Sequence, residues 1–161
     1  MGVEYDKSSK ILFSASGAFI RAWDLRDSNI RPIKTLCSSG VALSGAATLS
    51  SIPTGESPIT ALKMGTSGNF YTAASDKVRF WDLRMFSCIG KLSGGHQAAV
   101  MCVTTWDGPG NTDYVATGSK DHYVKVRLVF LLILQQISHL LPSTGFRSGV
   151  NRWNCRSVVK P

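Results

Sequence analysis

The sequence predicts an all-β fold assembled from repeated antiparallel hairpins, and three observations carry that reading. Phe70 to Leu83 reads as an apolar strand, a tight polar turn at Ser75-Asp76-Lys77, and a returning strand in which Val78, Phe80 and Asp82 alternate with Arg79, Trp81 and Leu83. Leu12 to Leu25 aligns with it without a gap, and both copies end in Trp-Asp-Leu-Arg: Trp23 and Asp24 through Arg26, then Trp81 and Asp82 through Arg84. Tyr114 to Val126 repeats the pattern with one extra residue in the turn, which carries Asp121 as the second copy carries Asp76. A turn Asp accepts hydrogen bonds from nearby backbone N–H groups, so the turns have a mechanism as well as a composition.

In chain order, residues 1 to 10 are polar and supply no strand, so the chain is expected to begin within a first unit. That unit has Ile11 to Ala15 and Phe19 to Trp23 as its hairpin, Asp27-Ser28-Asn29 as a turn, and Ile33 to Leu36 as its outer strand. Cys37 to Pro58 is rich in Ser, Gly, Ala and Thr and reads as a long surface insertion. A tolerated loop is the plainer interpretation, with a binding loop as the alternative, since loops often carry recognition.

Ile59 to Met64 alternates as an inner strand, Gly65 to Asn69 turns it into the Phe70 strand, and Cys88 to Leu92 closes the unit. Residues 59 to 92 are therefore expected to be the one complete four-stranded unit. Ala99 to Thr104 opens the next, with Trp106 to Asn111 as its loop; Trp106-Asp107 falls in that Gly/Pro turn and is not counted with the other Trp-Asp pairs.

At Arg127 the pattern changes, because alignment of Val124 with Val78 puts Arg127 where Trp81 stands, and Leu128 to Leu134 is an uninterrupted apolar run. The repeats are thus bounded at residues 11 to 126, with 127 to 161 a divergent apolar and basic tail. The simultaneous change in repeat logic, acid content and patterning favours read-through into non-coding sequence or a mis-spliced transcript. A membrane-surface or partner-binding helix is the second account, although the run lacks a polar face. The third is a degenerate returning strand at Gly149 to Asn154. The run is too short to span a bilayer.

These repeats resemble those of WD40 β-propellers, and Gly95-His96 fits that family's Gly-His element. The resemblance implies a partial propeller of about two to three blades, because closed propellers use about four to eight. It also implies structural roles for Trp23, Asp24, Asp76, Trp81, Asp82, His96 and Asp121. His96, Asp121 and Thr117 or Ser119 are expected to form a His-Asp-hydroxyl network whose Trp member is replaced by Arg127.

Ile20 to Ser28, Lys34 to Gly40, Gly90 to Leu92, Val100 to Cys102 and Thr117 to Lys125 are further similar to the C-terminal propeller of kinesin-4-type motors. That likeness implies a protein-interaction module in a cytoplasmic, cytoskeletal setting, with tubulin in microtubules or a cargo or regulatory protein as partner. The ATPase motor would then lie outside this chain. A truncated product without function, or a WD40 scaffold unrelated to motors, are the alternatives.

Composition narrows the chemistry. The formal charge is +8, but residues 1 to 126 contribute only +3 and the acid-free tail +5, with its charges scattered, which argues against a nucleic-acid surface. Cys37, Cys88, Cys102 and Cys155 show no paired spacing, and His96, His122 and His139 no ligand spacing with them, so neither a disulfide framework nor a metal site is expected. Ser93-Gly94-Gly95 and Gly108-Pro109-Gly110 are turns with no Lys-Ser or Lys-Thr opening a helix, so no nucleotide or other cofactor is expected. His96-Asp121 has no nucleophile placed beside it, and no catalysis is expected. Arg21, Arg79 and Lys125 occupy comparable strand positions, where solvated charges are the plainer reading and an acidic partner the sharper one.

Overall fold

The computed structural model describes residues 2–26, 28–44, 52–66, 68–92, 95–110 and 112–130. They form twelve strands in three antiparallel sheets. The first sheet runs β1 (Gly2–Asp6), β2 (Ile11–Ser16), β3 (Phe19–Asp24), β4 (Arg31–Cys37) and β5 (Ala42–Ser44). The second runs β6 (Ile59–Met64), β7 (Asn69–Ala74), β8 (Lys77–Asp82) and β9 (Ser87–Leu92), and the third β10 (Val100–Gly108), β11 (Thr112–Ser119) and β12 (Val124–Phe130). Each sheet is an up-and-down meander, as short turns between consecutive strands dictate. The three pack face to face as successive blades of a partial propeller.

Two apolar layers hold the blades together. Phe13, Ile20 and Leu36 of the first meet Leu62, Phe70 and Trp81 of the second, with the Phe13 and Phe70 rings stacked at 4.6 Å. Tyr71, Ala73 and Val78 of the second meet Val100, Val103, Val115 and Val129 of the third. The middle blade is covered on both faces, so β7 is buried at all its positions. A repeated backbone bond adds to this: the Ile59 N–H donates to Gly17 O at 2.8 Å, and the Val100 N–H donates to Ser75 O at 2.8 Å. Each hairpin turn thereby anchors the inner strand of the following blade.

The structure differs from the sequence-based expectations at four places. Gly2–Asp6 is a strand, paired with β2 from Gly2↔Ala15 to Asp6↔Ile11, so the first blade has its inner strand and the second is not the one complete unit. Polarity concealed it: Val3 and Tyr5 alternate with Glu4 and Asp6, and Glu4 accepts an ion pair from Lys63 of β6 at 2.9 Å. The Cys37 to Pro58 segment is more than a loop, since Ala42–Ser44 adds a fifth strand to the first blade. Its ends are tied where the Ser39 N–H donates to the Glu56 carboxylate at 2.7 Å and the Ser57 N–H to Ser38 Oγ at 2.7 Å.

Trp106 and Asp107 lie within β10, paired with Tyr114 and Asp113, not in the turn. The turn is shorter and uses Gly110 at φ +66°, a left-handed conformation that glycine adopts at little cost. Finally, β12 continues through Arg127, which pairs with Val115, to Phe130. The strand therefore crosses the position where the repeat pattern changes, because Val129 has a buried place against the second blade. The accounts of the tail beyond residue 130, including Gly149 to Asn154, concern segments outside the described residues.

Candidate functional site

One hydroxyl position organises each blade. Ser14, Thr72 and Thr117 are equivalent in register, since they pair with Arg21, Arg79 and Lys125 respectively. Two residues beyond those basic positions stand Trp23, Trp81 and Arg127. The Trp23 indole Nε1–H donates to Ser14 Oγ at 2.8 Å, and the Trp81 Nε1–H to Thr72 Oγ1 at 2.9 Å. Trp81 is fully buried between blades, so an unpaired Nε1–H there would be costly.

The third blade satisfies the same hydroxyl from the other side. His96 Nε2 lies 2.7 Å from Thr117 Oγ1 and its Nδ1 2.9 Å from Asp121 Oδ2. Asp121 also accepts from the Gln97 N–H at 2.9 Å and the Tyr123 N–H at 3.0 Å. Burial acts to raise the Asp121 carboxyl, but these backbone N–H groups, with His96 and Ser119, hold it well below the usual carboxylate range. Of the two candidate hydroxyls, Thr117 meets His96, whereas Ser119 donates to Ala98 O at 3.0 Å and accepts from the Asp121 N–H.

Arg127 occupies the third indole position, and its guanidinium lies over Gly95, where a Cβ would collide with it. The Trp-bearing half and the His-Asp half of the arrangement therefore sit in different blades of this chain. The hydrogen bonds of His96 and Asp121 tie the segment before β10 and the turn after β11 to strand β11.

Asp24 and Asp82 perform a local task. Each accepts the backbone N–H two residues on, from Arg26 at 3.0 Å and Arg84 at 2.8 Å, and each pairs with that residue's guanidinium. Trp-Asp-Leu-Arg thus encodes a strand end and the turn after it. The Arg26 guanidinium lowers the Asp24 carboxyl to about 2. Asp76 differs from Asp121: it pairs with Lys77 at 3.1 Å and accepts from the Ser75 hydroxyl at 3.3 Å, and Ser75 takes φ +54° to make the turn. Arg21, Arg79 and Lys125 are half-buried rather than fully solvated, and Arg79 lies against Gly40 and Cys88.

Sequence reasoning missed Asp113. It is fully buried in β11 and accepts from Tyr71 OH at 2.7 Å, Asn69 Nδ2 at 3.1 Å, and the Thr66 N–H and hydroxyl at 3.1 and 2.6 Å. Burial, then the Asp113 carboxylate, push the Tyr71 phenol far above its ordinary value. A carboxylate inside the otherwise strand-forming run Thr112-Asp113-Tyr114-Val115 was the available signal. Gly65 belongs to this joint, because a Cβ there would run into Asp113.

The repeated Trp–hydroxyl pairs, the His-Asp pair and the stacked antiparallel meanders agree with what comparison with known proteins finds. Residues 86–127 match the family WD40, "WD domain, G-beta repeat". Residues 86–127 are thus similar to a WD40 repeat. Among sequence relatives, it is 40% identical over 133 residues to "Kinesin-like protein KIF21A" of Homo sapiens, across 78% of this chain. It is 40% identical over 133 residues to "Kinesin-like protein KIF21B" of Mus musculus, and 32% identical over 135 residues to "Kinesin-like protein klp-12" of Caenorhabditis elegans. The chain spans only 8% of the length of each of these relatives. In three dimensions it resembles a chain of "Crystal Structure of Mitotic Checkpoint Complex" at TM-score 0.53 and 13% identity, over 78% of this chain and 32% of that one. That likeness is one of fold. WD40 propellers serve generally as interaction modules, and no helix of the described residues is long and apolar enough to cross a membrane.

Proposed function

We propose that this WD40 module recognises a protein partner for a kinesin-like, microtubule-associated motor protein in the cytoplasm, with tubulin as the first candidate and a cargo or regulatory protein as the second. The observation that carries the reading is the 40% identity to a kinesin-like protein across 78% of this chain. The blade geometry supports it, because the hydrogen-bonded side chains of the repeats are committed to holding strands and turns. The ATPase motor belongs to a different part of such a protein. Arg21, Arg79 and Lys125, at equivalent strand positions of the three blades, are the candidate contacts for an acidic protein surface and predict a salt-sensitive interaction.

Co-sedimentation of the 161-residue chain with stabilised microtubules tests this reading. The expected result is saturable pelleting that weakens as salt is raised from about 50 to 200 mM, in keeping with screening at those ionic strengths. Retention in the supernatant at low salt rejects tubulin and moves the search to cargo or regulatory proteins.

A further inference from the structure

The outermost strand of a blade ends its sheet with a row of backbone groups that face away from the blade. In the first blade the chain itself takes up that row: β5 pairs with β4 through Lys34↔Ser44, Thr35↔Leu43 and Leu36↔Ala42. The Cys37 N–H donates to Val41 O at 2.7 Å, so by the alternation of an antiparallel ladder Thr35, two residues earlier, also turns its N–H and C=O toward β5. In the second blade β9 is the last strand of its sheet among the described residues. It belongs to the middle blade, whose two faces are both covered by apolar layers.

Register makes the two edges equivalent. Arg21↔Thr35 corresponds to Arg79↔Lys91 and Ile20↔Leu36 to Val78↔Leu92, so Gly90, Lys91 and Leu92 stand where Lys34, Thr35 and Leu36 receive β5. Both strands are bulged at the same place, with Ile33 and Ile89 as the extra residue. Bulges and lysines commonly protect an edge from pairing. Yet β4 has both and is paired, and its Lys34 Nζ donates to Ser44 Oγ at 3.4 Å. Burial differs accordingly: Thr35 is 0% exposed, whereas Lys91 is exposed and Ile89 is 46% exposed.

We propose that the β9 edge binds an extended acidic segment of a partner protein, which adds as a fifth antiparallel strand in the way that β5 adds to β4. Backbone hydrogen bonds supply the attachment, and side chains select the segment. Ser87, Ile89 and Lys91 share the exposed side of β9, and Ser87–Leu92 contains no carboxylate. An acidic side chain opposite Lys91 meets the opposite charge across the ladder, and an apolar one two residues later lies toward Ile89. This surface goes beyond the reading above, since it requires neither tubulin nor a motor.

Titration of the full 161-residue chain with the end-blocked peptide Thr-Val-Glu-Thr-Ile-Thr tests the proposal, read by anisotropy of a dye on the peptide and by hydrogen exchange at Lys91. Saturable binding that slows exchange of the Lys91 N–H is expected. Lys91→Pro removes the outward donor of β9, and N-methylation of the peptide's Glu removes the donor that faces it; each is expected to weaken binding by about tenfold or more. Lys91→Glu keeps the backbone donor and is expected to bind the same peptide better once its Glu is replaced by Lys. Both variants are expected to keep the wild-type far-UV circular dichroism, because the Lys91 side chain is exposed. The methylated peptide makes the same test on the unaltered chain should Lys91→Pro fail to fold. Absence of saturable binding overturns the proposal. Binding that follows charge but survives both Lys91→Pro and N-methylation overturns it as well, since the contact is then one of side chains alone.

Discussion

At the residue scale, the shared Ser or Thr position sets what each blade tolerates. Trp81→Ala removes a fully buried indole and strands Thr72, and should cost about 3–5 kcal/mol in urea unfolding. Tyr71→Phe takes one donor from the buried Asp113 carboxylate while keeping the ring in place, and should cost about 1–3 kcal/mol by the same measurement. Arg127→Trp places an indole over Thr117 as in the other blades, and should raise the thermal midpoint by the equivalent of about 1 kcal/mol. A fall in the midpoint would show that the guanidinium's own contacts are worth more. Asp121 makes stability depend on acid: its folded carboxyl lies below the unfolded value of 3.8. The stability it contributes is complete above about pH 5 and is lost as pH falls through the folded pKa. In Asp121→Asn the thermal midpoint should be lower at neutral pH and should fall less steeply on acidification.

At the element scale, what was legible in the sequence followed from repetition. The hairpins β2–β3, β7–β8 and β11–β12 were readable because strand alternation and turn chemistry recur together at Trp23, Trp81 and Asp121. β1 was not, because its alternation is only five residues long and one of its polar members, Glu4, finds its partner in another blade. The continuation of β12 was hidden because the Trp expected at Arg127 is absent, whereas the burial that justifies the strand depends on Val129 meeting the middle blade. A chain ending at Val126 should accordingly be less stable than one ending at Phe130, by about 1.5–3 kcal/mol for the lost burial of one side chain of this size. Comparing the denaturant midpoints of the two chains checks it.

At the scale of the whole molecule, the candidate site was half legible. His96, Asp121 and Thr117 could be joined from spacing within one repeat, but Asp113 could not be tied to Tyr71, Asn69 and Thr66, because those residues meet only when two blades stack. Stacking also explains why the middle blade is buried on both faces while the outer blades each keep one open face. The account rests on the three sheets being consecutive blades of one cooperative body, with apolar layers carrying stability from one to the next. Urea unfolding of Val115→Ala, followed by fluorescence of the Trp81 environment and by far-UV circular dichroism, tests this most directly. Val115 belongs to the layer between the second and third blades and Trp81 to the layer between the first and second. A single transition shifted to lower urea for both probes is the predicted result; an unshifted Trp81 signal, with the third blade unfolding alone, would contradict the account.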